Sequence, residues 1–189
     1  MHDELLLIPK SCFFAHDLTQ YVNAERRFDL AVSLEVAEHL DKKYARNFVA
    51  TLVNLSSVVV FSAAIPSQNG AHHVNEAWPD YWAKLFKEHE YVPIDCIRES
   101  IWNSEDVAWW YAQNIIVFAE KQYVLKNSKL RRALERTRAS QLSIVHPRKY
   151  LEAIRRIEDL KGSTLGLRQV LRMLPRVRIK AVRKRLKQG

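Results

Sequence analysis

Three short stretches of the chain, SCFFAHDL (11–18), FDLAVSL (28–34) and SVVVFSAA (57–64), are apolar on both faces or nearly so. Strands of that composition suit a parallel sheet covered on both sides by helices. Between the second and third lies DKKYARNFVATLVNL, where Asp41 is placed to cap a helix and Tyr44, Phe48, Leu52 and Leu55 share one helical face. Strand, helix and strand within about 35 residues make a βαβ unit. The pattern then recurs. A polar loop, IPSQNGAHHVNE, leads into WPDYWAKLFKEHE, with Pro79 in the first turn and Trp78, Trp82, Leu85, Phe86 and His89 on one face. YVPIDCIR (91–98) and AQNIIVFAE (112–120) read as two further strands, and the short aromatic linker between them suits antiparallel pairing. The expected fold is therefore α/β: a doubly wound, mixed sheet of parallel strands ending in an antiparallel pair.

Charge divides the chain more sharply than hydropathy does. Residues 1–121 hold 10 Lys and Arg against 17 Asp and Glu, whereas residues 122–189 hold 20 against 4. The expected organisation is an α/β domain over 1–121 and a basic helical extension over 122–189. Within the extension, LRRALERTRAS, PRKYLEAIRRIEDL and LGLRQVLRMLPRVRIKAVRKRL carry helical patterning, with Pro175 breaking or kinking the last. A segment with net charge +16 calls for a partner. Nucleic acid is one, through phosphate neutralisation. An anionic membrane surface is another, because Leu165, Leu167, Val170, Leu171 and Leu174 alternate with Arg168, Arg172 and Arg176. Docking on the acidic domain or on another copy is the third.

Two cysteines, Cys12 and Cys96, lie in apolar runs without metal or redox spacing, and are expected to be small buried residues in a reducing cytosol. MHDELLLIPK has neither the basic start nor the apolar run of a signal peptide, and no run of about 18 apolar residues occurs. The expected location is cytoplasmic, with peripheral membrane attachment through the extension as an option.

Ligands of open α/β sheets bind outside the carboxyl ends of the strands, so the polar residues at those ends define the candidate site. The first expected strand ends at Asp17 and Leu18, and the second at Ser33, Glu35, Glu38 and His39. The third runs into Gln68, Asn69, His72, His73, Asn75 and Glu76. Metal binding by His72, His73 and Glu76 is not expected, since adjacent loop histidines point apart and no HExxH or HxxxH spacing supports them. Trp78, Trp82, Trp102, Trp109 and Trp110 either wall a substrate pocket or pack in the core.

The segment FDLAVSLEVAEHLDKKYARNFVATL resembles the fourth strand and following segment of class I S-adenosylmethionine-dependent methyltransferases, with an E-x-x-E-H-L pattern at Glu35–Leu40. FFAHDLT is similar to the third strand of that family, and VVVFSAAIPSQNGAHHVNEAWPDYWAKLF to the fifth strand, active-site loop and next helix of a bacterial subgroup. WWYAQNIIVF fits the antiparallel sixth and seventh strands, so the likeness covers roughly residues 3–121. The resemblance implies a methyltransferase whose cofactor is S-adenosylmethionine and whose acceptor is a small molecule or glycan, methylated on a hydroxyl. It implies that Asp17 accepts from the adenine amino group and that the Leu18 backbone addresses the ring. Glu35 would lie beside the methionine portion, with Glu38 and His39 beneath it. His72 and His73 are the candidate catalytic residues, His73 foremost, as bases for the acceptor hydroxyl.

The departure is the glycine-rich phosphate-type loop. Only Gly70, Gly162, Gly166 and Gly189 occur, and no glycine lies in the first 69 positions. Three situations accommodate this: the chain is a fragment or an alternative start; another polypeptide completes the fold; or the chain is a catalytically inactive methyltransferase-like module acting through its basic tail.

Overall fold

The computed structural model describes residues 7–162, and side chains through Leu160. The chain divides into two compact units, Met1–His146 and Pro147–Gly189. The first is α/β. Among its described residues the strands are β1 (Ala31–Leu34), β2 (Val58–Ser62), β3 (Tyr91–Ile94) and β4 (Ile116–Glu120). They form one mixed sheet in the order β1-β2-β4-β3. β1 and β2 are parallel in the register Ala31↔Val59 to Leu34↔Ser62, and β4 is antiparallel to both of its neighbours. The expected antiparallel pairing of β3 with β4 is present. β4 also inserts between β2 and β3, so that β3 runs in the same direction as β1 and β2.

The helices follow the expected periodicities. A 3-10 turn at Lys42–Tyr44 leads into α1 (Ala45–Leu55), which buries Phe48, Val49 and Leu52. Pro79 occupies the first turn of α2 (Pro79–Lys87), where a missing N–H costs nothing, and Trp82, Leu85 and Phe86 face inward. Phe86 stacks on Phe118 with ring centroids 3.9 Å apart, and Phe61 meets Trp82, Phe86 and Phe118 edge-on or tilted. This aromatic core covers one face of the sheet. The other face is covered by α5 (Lys121–Lys126) and α6 (Ser128–Arg136), whose Val124, Leu130, Ala133 and Leu134 join Ile94, Val117 and Ala119. The jump in charge at residue 122 thus precedes the unit boundary at Pro147. Two helices on the basic side of that jump have an apolar stripe, and burying it against the sheet outweighs their charge, which faces water.

Three expectations are corrected. Residues 11–18 form no strand: Lys10–Cys12 is a 3-10 turn and the remainder has no sheet partner. Phe14 and Leu18 are exposed there, so the apolar run does not report burial within the sheet. Trp109–Asn114 is helical (α4, following the short α3 at Arg98–Ile101), so β4 begins only at Ile116. Cys12 and Cys96 are both free and exposed, because one sits in that 3-10 turn and the other just past the end of β3.

β1 is an edge strand, with Val32 57% exposed and Phe28 and Leu30 also open to solvent. In the second unit, α7 (Pro147–Gly162) bears an i,i+4 ion pair between Glu152 and Arg156 at 2.6 Å. The third helical segment expected from the sequence, 165–186, lies outside the described residues. Among the described residues no helix is long and apolar enough to cross a membrane.

Candidate functional site

Four elements converge at the carboxyl ends of β1 and β2. Glu35, the residue after β1, has φ 54°, a left-handed conformation that a non-glycine residue holds only when its surroundings impose it. Its N–H donates to the Ser62 carbonyl (3.0 Å) and Ser62 Oγ (3.1 Å). Its carboxylate accepts from Gln68 Nε2 (2.9 Å) and Asn114 Nδ2 (3.1 Å). Gln68 is fixed in turn, because its Oε1 accepts from Asn114 Nδ2 (2.8 Å), Gln113 Nε2 (3.3 Å) and the Ile65 N–H (3.2 Å). Gln113 closes the network by accepting from the His146 N–H at 2.8 Å. A buried chain of amides therefore holds one carboxylate in one pose.

Three residues on, Glu38 and His39 lie in a 3-10 turn, Ala37–His39. The Glu38 carbonyl accepts from the Val74 and Asn75 N–H groups at 2.9 and 3.0 Å, which ties the loop after β2 to this turn. The loop is strained: Ser67, Asn69 and His72 all have φ between 61° and 66°. Glu76 gathers it by accepting from the Ser67 N–H (2.7 Å), the Asn69 N–H (3.0 Å) and His73 Nδ1 (3.0 Å). Donation from Nδ1 leaves His73 Nε2 as the ring's acceptor. Gly70 is required for this placement, because a Cβ there would come within 2.2 Å of His73 Cε1 and Nε2. The His39 and His73 rings meet edge-on, 5.0 Å between centroids.

The exceptional member is Glu38. It is 0% exposed, and although its own backbone N–H and the Glu35 carboxyl lie beside it, neither oxygen has a well-formed hydrogen bond among the described residues. Burial, reinforced by the neighbouring Glu35 charge, pushes its carboxyl up to about 7. Glu76 moves the other way, below the usual carboxylate range: burial raises it, but the bonds from His73, Ser67 and Asn69 outweigh that effect together. One donor atom from each of Glu38, His39 and His73 lies within 4.8 Å of the other two. The site thus combines a neutral-leaning carboxyl, a carboxylate-oriented imidazole able to take a proton, and a mixed nitrogen–oxygen donor set.

Of the residues singled out from the sequence, Glu35, Glu38, His39 and His73 come together here. His72 is exposed and outside the donor group. Asp17 and Leu18 make only local structure: the Asp17 side chain accepts from the Thr19 N–H (2.9 Å) and its carbonyl from the Gln20 N–H (2.9 Å). Those Thr19 bonds lower the Asp17 carboxyl. Trp82 is core, Trp102 and Trp109 pack around His146, and Trp78 and Trp110 are exposed. Gln113 and Asn114 were not singled out; the signal was two amides just before an apolar strand. A surface cavity of about 340 Å³ lies at the opposite ends of these strands, lined by residues including Arg27, Tyr91 and Glu120.

No protein-family model matches the chain, and neither does any curated protein or solved structure.

Proposed function

We propose that the chain carries the acceptor side of an S-adenosylmethionine-dependent methyltransferase site of Rossmann-like type, acting on a hydroxyl of a small molecule or glycan. The observation that carries this reading is the convergence of Glu35, Glu38, His39 and His73 on one sheet edge, in the order in which the family resemblance assigns them. Methyl transfer from a sulfonium is an in-line displacement, so the protein's work is to orient the acceptor, exclude water and accept its proton. His73, with Nδ1–H held by Glu76 at 3.0 Å, offers Nε2 as that base. Glu35, fixed by Gln68 and Asn114, would border the methionine portion of the donor. The open edge of β1, with exposed Leu30 and Val32, is where a further strand would extend the sheet and supply the rest of the donor site, from additional sequence or a partner chain.

Isothermal titration with S-adenosylmethionine tests the reading on this chain and on one extended by a glycine-rich strand–loop–helix. Binding by either that weakens at least tenfold in Glu35→Ala supports it. Binding or methyl transfer that Asp17→Ala and Glu35→Ala leave untouched contradicts it.

A second reading is favoured by α7, where Leu151, Ile157 and Leu160 are exposed beside Arg148, Arg155 and Arg156. Such a helix suits an anionic membrane surface. The tail would then place the α/β unit peripherally on a cytoplasmic leaflet. Sedimentation with anionic vesicles that is lost on removing residues 147–189 supports it; equal sedimentation with neutral vesicles, or retention on DNA instead, contradicts it.

A further inference from the structure

We propose that Glu38, His39 and His73 form a binding site for one zinc-class divalent ion, Zn²⁺ or Co²⁺. Three independent features point to a ligand here. The first is Glu38, a fully buried carboxyl beside the Glu35 carboxyl, with no well-formed hydrogen bond to either oxygen and a donor atom within 4.8 Å of one on each of two imidazoles. Buried polar atoms are nearly always compensated, so this carboxyl either keeps a proton shared with Glu35 or faces a cation, and two imidazole donor atoms beside it favour the cation. The second is the Glu76–His73 bond. A carboxylate on one ring nitrogen fixes the tautomer and presents the other nitrogen as a metal ligand, the usual outer support of a metal-binding histidine. The third is the scaffold. Gly70 leaves the space that the His73 ring fills, and the Val74 and Asn75 N–H groups tie the His73 loop to the Glu38 turn.

The donor chemistry selects the ion. Two imidazoles and one carboxylate suit zinc-class ions, whereas Mg²⁺ and Ca²⁺ favour all-oxygen sets. Three protein donors also leave coordination positions for water or a substrate hydroxyl; with the ion bound, the His73 Nε2 lone pair is a ligand and no longer the base, and the ion would instead make that hydroxyl's proton easier to remove. Only that use of the ion rests on the methyl-transfer reading. Its binding does not, so the two can fail separately.

The test requires no methyl donor. Full-length chain stripped with chelator is titrated with Zn²⁺ calorimetrically and with Co²⁺ by visible absorption. One equivalent per chain is expected, undisplaced by millimolar Mg²⁺. His39→Asn, at an exposed position, and Glu38→Gln should each weaken binding by roughly tenfold or more. Glu76→Gln, which alters no donor atom, should weaken it by about 10- to 100-fold. His89→Asn, at a histidine outside the cluster, should leave it unchanged. Wild-type affinity in His39→Asn, equal loss in His89→Asn, or ready displacement by Mg²⁺ would overturn the assignment.

Discussion

Among the described residues of the α/β unit, one acidic and one basic side chain, Glu38 and Arg98, are almost wholly buried, and they are treated in opposite ways. Arg98, 2% exposed, has all of its N–H donors engaged: Nε and Nη2 grip the Asp95 carboxylate at 2.9 and 2.6 Å, and Nη1 and Nη2 also reach the Gln113, Leu142 and Gln141 carbonyls. Glu38, equally buried, has no well-formed hydrogen bond to either oxygen among the described residues. A burial that is fully compensated holds structure together; one left uncompensated destabilises the fold and is retained only where it serves chemistry. Arg98 fastens the 137–146 segment to the end of β3. Glu38 stands where a proton or a cation is to be held.

The comparison breaks most easily at Arg98. Arg98→Met strands the Asp95 carboxylate and three carbonyls, and should cost ~3–5 kcal/mol in denaturant unfolding. A loss below 1 kcal/mol would show that the network is ornamental. Next comes the support of Glu35. Asn114→Leu removes donors to Glu35 and Gln68 and an acceptor for Gln113, and should cost about 2–3 kcal/mol by the same assay. Gly70→Ala sharpens the contrast from the loop side: the His73 ring must move, at roughly 1–2 kcal/mol. Its imidazole resonances should shift while those of His89 stay in place; an unmoved His73 would refute the fit.

Much of this architecture was legible in the chain. Phe48 and Leu52 at helical spacing and Trp82, Leu85 and Phe86 behind a first-turn proline gave α1 and α2 their faces. Val58–Ser62 was legible as a strand because it is apolar on both sides. The same criterion failed at 11–18, where Cys12, Phe14 and Leu18 are exposed: an apolar run shows neither that a strand exists beside it nor that anything covers it. The insertion of β4 between β2 and β3 was hidden because strand order depends on long-range pairing that local pattern does not encode. In the site, Glu35, Glu38, His39 and His73 were legible as polar residues after strands. Their meeting as a donor set was not: His39 and His73 are 34 positions apart, and the spacing rules for metal ligands apply within one helix or loop. The amides Gln113 and Asn114 stayed silent because burial, not identity, gives them their role.

The central claim is that Glu38 is kept at the expense of stability, and thermal unfolding of metal-free Glu38→Gln at pH 8 and pH 5 tests it most directly. Because the folded-state carboxyl is raised to about 7, its contribution is intact below its ordinary value near 4.5 and is lost as pH rises through 7. Glu35, His39 and His73 are its titratable neighbours in both proteins, with Glu76 one step further out on His73. The account predicts that Glu38→Gln melts ~3 °C higher than wild type at pH 8, with the gap shrinking at pH 5. A variant that melts lower than wild type at pH 8 would contradict it.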